Sequence, residues 1–123
     1  MKRSIISNER KCFLTGYENV PLDRHHVFNG GLRKWADKEG LWVYLWHERH
    51  MEAHYKNPDL LIQLKRIGQY YYEKSHSREE FMKHVHKNYL IEPLTDEEKQ
   101  KYQIVENDEP LDITKEDLPW MKN

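Results

Sequence analysis

The feature that most constrains this chain is the clustering of its histidines. Eight histidines occur in 123 residues, and five of them lie in two short segments, residues 22–28 and 46–54. His50 and His54 are four residues apart, so on a helix they project from one face, one turn above the other. Imidazoles brought together in this way are common metal ligands.

The residues around the two clusters predict the elements that carry them. The alternation of Val20, Leu22 and Arg24 predicts a strand that ends in the His25-His26 pair. Residues 41–46 form a β-favouring run without a breaker, and a helix over residues 47–57 follows directly. Histidines from the end of a strand and from one face of a helix would then converge, which predicts a small metal site.

Further elements are predicted on either side of this region. Residues 11–16 are typical of a strand that runs into a turn at Gly16. Residues 32–39 predict a short helix closed by Gly40, and Pro58 is expected to end or bend the helix before it. Residues 59–74 carry an apolar stripe at helical spacing. Capping-box signatures open two more helices, at residues 77–80 and 95–98.

Composition limits the classes of protein that this chain can form. Hydrophobic residues are 37% of the chain and charged residues 33%, while an aromatic content of 12% argues against disorder. No apolar run approaches the ~20 residues that cross a bilayer, so we expect no membrane partner. A single cysteine excludes an internal disulfide, and with no secretory-type apolar stretch near the start we expect a cytoplasmic protein.

The charge is distributed unevenly along the chain. Residues 1–91 hold 16 basic and 11 acidic residues, whereas residues 92–123 hold 4 and 10. A basic body favours binding to nucleic-acid phosphates. The acidic C-terminal segment would oppose that binding unless it points away or covers the site, although a solvated tail is the simpler interpretation.

The pattern resembles that of the HNH, or ββα-metal, endonucleases, over residues 12–55, about a third of the chain. In that family a His-His or Asp-His pair ends the first strand, and histidines of the following helix complete a metal site. Phage-type members in particular show a similar Arg-His-His-Val-Phe segment, here residues 24–28, followed by a Gly-Gly and an Arg-Lys pair. The resemblance implies an α+β fold, a small ββα-metal core with additional C-terminal helices.

The resemblance also assigns roles to individual residues. It implies that His25, His50 and His54 hold one divalent metal ion and that His26 is the general base. Adjacent residues of a strand point to opposite sides, so one histidine can bind metal while the other lies across the substrate. The identity of the metal stays open among Mg²⁺, Mn²⁺, Zn²⁺ and Ni²⁺.

Three basic residues are candidates for contacts with phosphate, and ordinary surface charge is an equally good interpretation of them. They are Arg24, Arg33 and Lys34.

The sequence departs from the family pattern at two places. Thr15 stands where a second cysteine would follow Cys12, which rules out a structural Cys₄ zinc. Cys12 is then most simply a small buried residue, and a pairing with His47 is the less favoured alternative. The asparagine that the family carries at the start of the second strand has no counterpart in residues 39–41. Asn29 and Asp37 are the two candidates to orient the base in its place.

These observations predict a metal-dependent endonuclease that hydrolyses DNA, of phage or mobile-element type and acting in a bacterial host cell. The sequence leaves open whether RNA is a substrate, whether the enzyme nicks one strand or cuts both, and whether it forms a homodimer. The alternative is a non-catalytic ββα-metal scaffold that binds nucleic acid or a protein partner. Residues 1–92 are expected to form the nuclease domain with its helical extension. Residues 93–123 are expected to form an acidic, partly helical or loosely ordered segment.

Overall fold

The computed structural model describes residues 2–104, which form a small α+β protein with two strands and five α-helices. A 3₁₀ turn at Gly30–Leu32 precedes the first helix. The elements are β1 (Leu22–His26), α1 (Arg33–Glu39), β2 (Trp42–Trp46), α2 (His47–Tyr55), α3 (Pro58–Tyr72), α4 (Arg78–Val85) and α5 (Asp96–Lys101).

The two strands form an antiparallel sheet in which His25 lies opposite Val43 and His26 opposite Trp42. The strand predicted to start at Val20 begins two residues later, because Pro21 has no N–H to donate to a ladder. The Pro21 carbonyl instead accepts a hydrogen bond from the His47 backbone at 2.9 Å. This bond ties the start of α2 to the start of β1, which aligns the helix with the strand that carries the His-His pair.

The strand predicted at residues 11–16 is absent, and this prediction was wrong. The segment is a turn in which Gly16 donates to the Cys12 carbonyl at 2.7 Å and takes φ 81°. The Cys12 amide bonds to the Tyr17 carbonyl across the loop, and the Phe13 amide bonds to the Tyr44 carbonyl of β2. Local turn bonds therefore use the groups that a ladder would need. Cys12 is 1% exposed, which confirms it as a buried small residue.

The helix boundaries follow their capping residues. Gly40 ends α1 in the left-handed region at φ 75°, as predicted. The two capping boxes, at Ser77 with Glu80 and at Thr95 with Glu98, are both formed and open α4 and α5. Pro58 is the first residue of α3 rather than a bend in α2, a position where its missing N–H costs nothing.

One hydrophobic core joins the N-terminal segment, the sheet and the helices, from Ile6 to Ile104. Gly68 lets α3 approach the residues just after β1, since a Cβ there would lie 2.7 Å from a methyl group of Val27. Leu94 and Tyr102 belong to the same core. The part of the expected acidic segment beyond Ile104, including Trp120, lies outside the described residues.

Among residues 2–104, no helix is long and apolar enough to cross a membrane.

Candidate metal centre

The two faces of β1 carry different chemistry because successive side chains of a strand alternate. Asp23 and His25 lie on the face toward α2, whereas Arg24 and His26 lie on the other. Helix α2 follows β2 without a loop, so its first turns lie close to β1. This connection sets His50 and His54 opposite His25.

Three histidines converge at this contact. The ring centroids of His25 and His50 are 5.1 Å apart, those of His25 and His54 6.0 Å, and those of His50 and His54 4.9 Å. Each ring offers a nitrogen, and these three atoms lie within 4.8 Å of one another. Tetrahedral coordination with ~2.0–2.1 Å bonds needs nitrogens roughly 3.4 Å apart, so small side-chain rotations suffice to bind one ion.

The three imidazoles differ in their exposure to solvent, and one side of the cluster is open. His25 is 3% exposed, His50 is half-buried and His54 is exposed. Burial, together with the nearby charges of His50 and His54, lowers the pKa of His25 to about 3. His25 is therefore neutral at ordinary pH, the form that coordinates metal. Three protein ligands with an open side are the arrangement of a catalytic rather than a structural site.

Asp23 is a participant that the sequence did not single out. One of its carboxylate oxygens accepts hydrogen bonds from Nδ1 of His50 at 2.9 Å and from Nδ1 of His47 at 2.7 Å. A carboxylate only accepts, so the Nδ1 atom of His50 carries the hydrogen and its Nε2 keeps the lone pair for a metal. Partial burial raises the pKa of Asp23, but these two hydrogen bonds outweigh it and hold the pKa below its usual value.

The sequence contained the signal for Asp23. It precedes His25 by two residues in a strand, which places both side chains on the same face. Its partner His47 has an exposed side chain and bonds to Asp23 rather than to Cys12.

His26 lies on the opposite face of β1 and is 7% exposed. Its Nε2 is 2.9 Å from a carboxylate oxygen of Asp37 in α1. Of the two residues considered as orienting groups, Asp37 is the one bonded to His26, while Asn29 lines the cleft nearby. Because the carboxylate accepts at Nε2, the Nδ1 atom of His26 is the nitrogen free to take up a proton.

A cleft with a volume of about 240 Å³ joins these groups. It is lined by Arg24, His25, His26, Asn29, Arg33, His50 and His54. Lys34 is exposed on α1 but is not part of this lining. Of the sequence-predicted site residues, the cleft therefore brings together every one except Lys34 and Asp37, and Asp37 reaches the site through its bond to His26.

The remaining three histidines lie outside the cleft and serve packing or end a helix. His84 stacks on Trp35 with centroids 4.8 Å apart, and His76 stacks on Tyr72 at 4.1 Å. His86 ends α4 in the left-handed region at φ 64°.

Comparisons with family models, curated protein sequences and solved structures gave no match to this chain. The interpretation of the site consequently depends on its own geometry and chemistry.

Proposed function

We infer that this protein is a divalent-metal-dependent endonuclease with a ββα-metal core, and that it hydrolyses phosphodiester bonds in DNA. The observation that carries the proposal is the common cleft, which has three convergent histidines, the separate His26 and two arginines on its walls, with Asp37 bonded to His26 from behind the lining. A metal site alone would fit many functions. A metal site, a histidine base and phosphate-binding cations within one cleft fit phosphodiester hydrolysis.

His25, His50 and His54 are the residues that would hold the metal ion. A bound divalent cation supplies Lewis-acid stabilisation of the negative charge that develops on the phosphate and the leaving 3′ oxygen.

The chain's own groups supply the proton transfer. Nδ1 of His26 takes a proton from the attacking water, since an imidazole can act as a base near neutral pH. Asp37 accepts the hydrogen on Nε2, which fixes the ring orientation and stabilises the imidazolium that forms.

The arginines orient the substrate. Arg24 and Arg33 are exposed at the cleft and are positioned to bind the phosphates next to the scissile bond. A guanidinium pairs with two phosphate oxygens at once, so it fixes the direction of the strand as well as attracting it.

A plasmid-relaxation assay with Mg²⁺, Mn²⁺, Ni²⁺ and Zn²⁺, run beside an EDTA control, tests the proposal. His26→Ala is expected to lower the cleavage rate about 10²- to 10⁴-fold while metal and DNA binding persist. His86→Asn is the matched control, because it removes a histidine outside the cleft and keeps a residue that tolerates positive φ.

The outcomes separate the two functions under consideration. Metal-dependent cleavage that His26→Ala abolishes supports the nuclease. Metal and DNA binding without cleavage under any of these ions would favour the non-catalytic scaffold. Cleavage that persists in His26→Ala would show that another group is the base.

A further inference from the structure

A second cleft adjoins the candidate metal centre, with Arg24 in the wall of both. Its volume is about 190 Å³. It is lined by Lys2, Arg3, Asn8, Arg24, Trp42 and Tyr44. Three of these six side chains are cationic and none is acidic, so this cleft has the chemistry of an anion site.

The basic residues belong to an N-terminal segment that is held in place without regular secondary structure. The Lys2 carbonyl accepts from the Trp42 indole at 2.9 Å, and the Ile5 amide donates to the Gly40 carbonyl at 2.9 Å. Between them the Ser4 hydroxyl, which is 3% exposed, donates to the Trp42 carbonyl. These bonds fix the backbone on both sides of Arg3, while Lys2 and Arg3 line the cleft and stay exposed to solvent.

Arginines cover the aromatic rings of this cleft. The Arg24 guanidinium lies 4.9 Å from the centre of the Trp42 ring, and the Arg10 guanidinium lies 5.3 Å from that of Tyr44. Trp42 is also 4% exposed. An arginine therefore covers one face of each ring and Trp42 is almost fully buried, so stacking of an unpaired base is disfavoured relative to binding of a phosphate.

We propose that this cleft, defined by Lys2, Arg3 and Arg24, is a second phosphate subsite that binds a flanking phosphodiester of the DNA strand lying in the metal centre. This inference rests on the proposed function, because the strand must already occupy the first cleft. Arg24 is shared by the two clefts, so one strand can contact both without leaving the surface.

The subsite has a mechanistic consequence. Phosphate contacts at the metal centre hold only the strand next to the scissile bond, whereas a contact at a flanking phosphodiester also restricts the path of the strand beyond it. Correct orientation of the scissile bond is a large part of what a hydrolytic site must supply.

The first experiment measures the salt dependence of binding of a DNA oligonucleotide to the full chain in EDTA, where cleavage is suppressed. The variant Lys2→Ala/Arg3→Ala is expected to reduce the slope of log K against log salt by about 0.7–0.9 for each phosphate that the protein no longer neutralises. Lys83→Ala/Lys87→Ala is the matched control. It removes two exposed positive charges that line neither cleft, and it should leave the slope unchanged.

The second experiment locates the phosphate. Neutral methylphosphonate linkages are placed one at a time along the oligonucleotide, and the loss of affinity is measured for each position. At one flanking position the neutral linkage should weaken binding by the wild-type protein and have little further effect in Lys2→Ala/Arg3→Ala. This non-additivity is the signature of a direct contact.

The possible failures can be told apart. Full affinity and an unchanged salt slope in Lys2→Ala/Arg3→Ala would overturn the subsite and leave the nuclease proposal intact. Additive losses at every linkage would also overturn it, since they indicate only a diffuse charge effect. Absence of DNA binding by the wild-type protein would remove the proposed function and this inference with it. Retention of metal affinity in the variant verifies that it is folded.

Discussion

Replacement of Asp23 by alanine is expected to weaken divalent-metal binding by about 10- to 100-fold while the protein stays folded. Asp23 is not itself one of the three convergent ligands, so the loss would act through His50. Its carboxylate holds the Nδ1 atom of His50 at 2.9 Å and thereby keeps the lone pair on Nε2. Without the carboxylate, His50 can adopt the other tautomer and rotate away from His25.

The expected loss of metal affinity can be expressed as a free energy of binding. The loss corresponds to about 1.4–2.7 kcal/mol of metal-binding free energy, since each tenfold change in affinity is worth ~1.4 kcal/mol. Removal of His50 itself should cost more, because it deletes a ligand rather than its support. His47→Ala, which removes the second donor to Asp23, should cost less than Asp23→Ala.

The dissociation constants for Zn²⁺ and Ni²⁺ are measured by isothermal titration calorimetry of the purified protein. Circular dichroism verifies that each variant is folded. Asp37→Ala is the matched control, because Asp37 also supports a histidine at 2.9 Å but on the opposite face of β1. It should retain wild-type metal affinity and lose cleavage activity. If Asp23→Ala binds metal as tightly as the wild type while His50→Ala does not, the argument that Asp23 orients His50 is refuted.

Two further predictions concern stability. Gly68→Ala is expected to lower the free energy of unfolding by about 1 kcal/mol, because overpacking against Val27 costs ~1–3 kcal/mol and exceeds the ~1 kcal/mol gained in helix propensity. Gly31→Ala, where a Cβ meets no atom within 4 Å, should be neutral in the same urea titration, and equal effects of the two variants would contradict the packing argument. Partial burial raises the pKa of Glu98, but hydrogen bonds from the Thr95 backbone and the side chains around the carboxylate outweigh it and leave the pKa lowered. A lowered pKa in the folded state stabilises the protein at pH values above the pKa of the unfolded state. This stabilisation is lost as the pH falls through the pKa of the folded state. Glu98→Gln should therefore reduce stability by up to about 1 kcal/mol at neutral pH and converge with the wild type in acid, and a constant difference at every pH would argue against the linkage.

The sequence predicted those parts of the fold that depend on local periodicity and capping. Both capping boxes, the glycine end of α1 and the i,i+4 pair on α2 require only residues close in sequence. The turn at Gly16 was predicted, but the absence of a strand before it was not predictable in this way. The apolar residues of this segment suit a strand, and only the hydrogen bonds closed within the loop decide the outcome.

The supporting carboxylates of the site show the same limit. Asp23 could be placed on the face of His25 from its spacing alone, but its bonds to α2 depend on how that helix packs. Asp37 lies 11 residues from His26, and its contact is set by the path of the chain through Asn29 and α1. Periodicity assigns a side chain to a face of its own element. It does not determine which side chain of another element lies opposite.

The alternation of β1 has a consequence for how the site can be tuned. His25 and His26 are neighbours in sequence, yet the carboxylates on the two faces support different histidines. Asp23 of β1 bonds to His50 on the metal face, and Asp37 of α1 bonds to His26 on the other. The carboxylate on one face can therefore be altered with little effect on the hydrogen bond of the other. This separation gives Asp23→Ala and Asp37→Ala opposite expected phenotypes, a loss of metal affinity in one and a loss of cleavage in the other. If both variants lost both properties, the two faces of β1 would have to be a single coupled unit, and the division between metal ligand and base would fail.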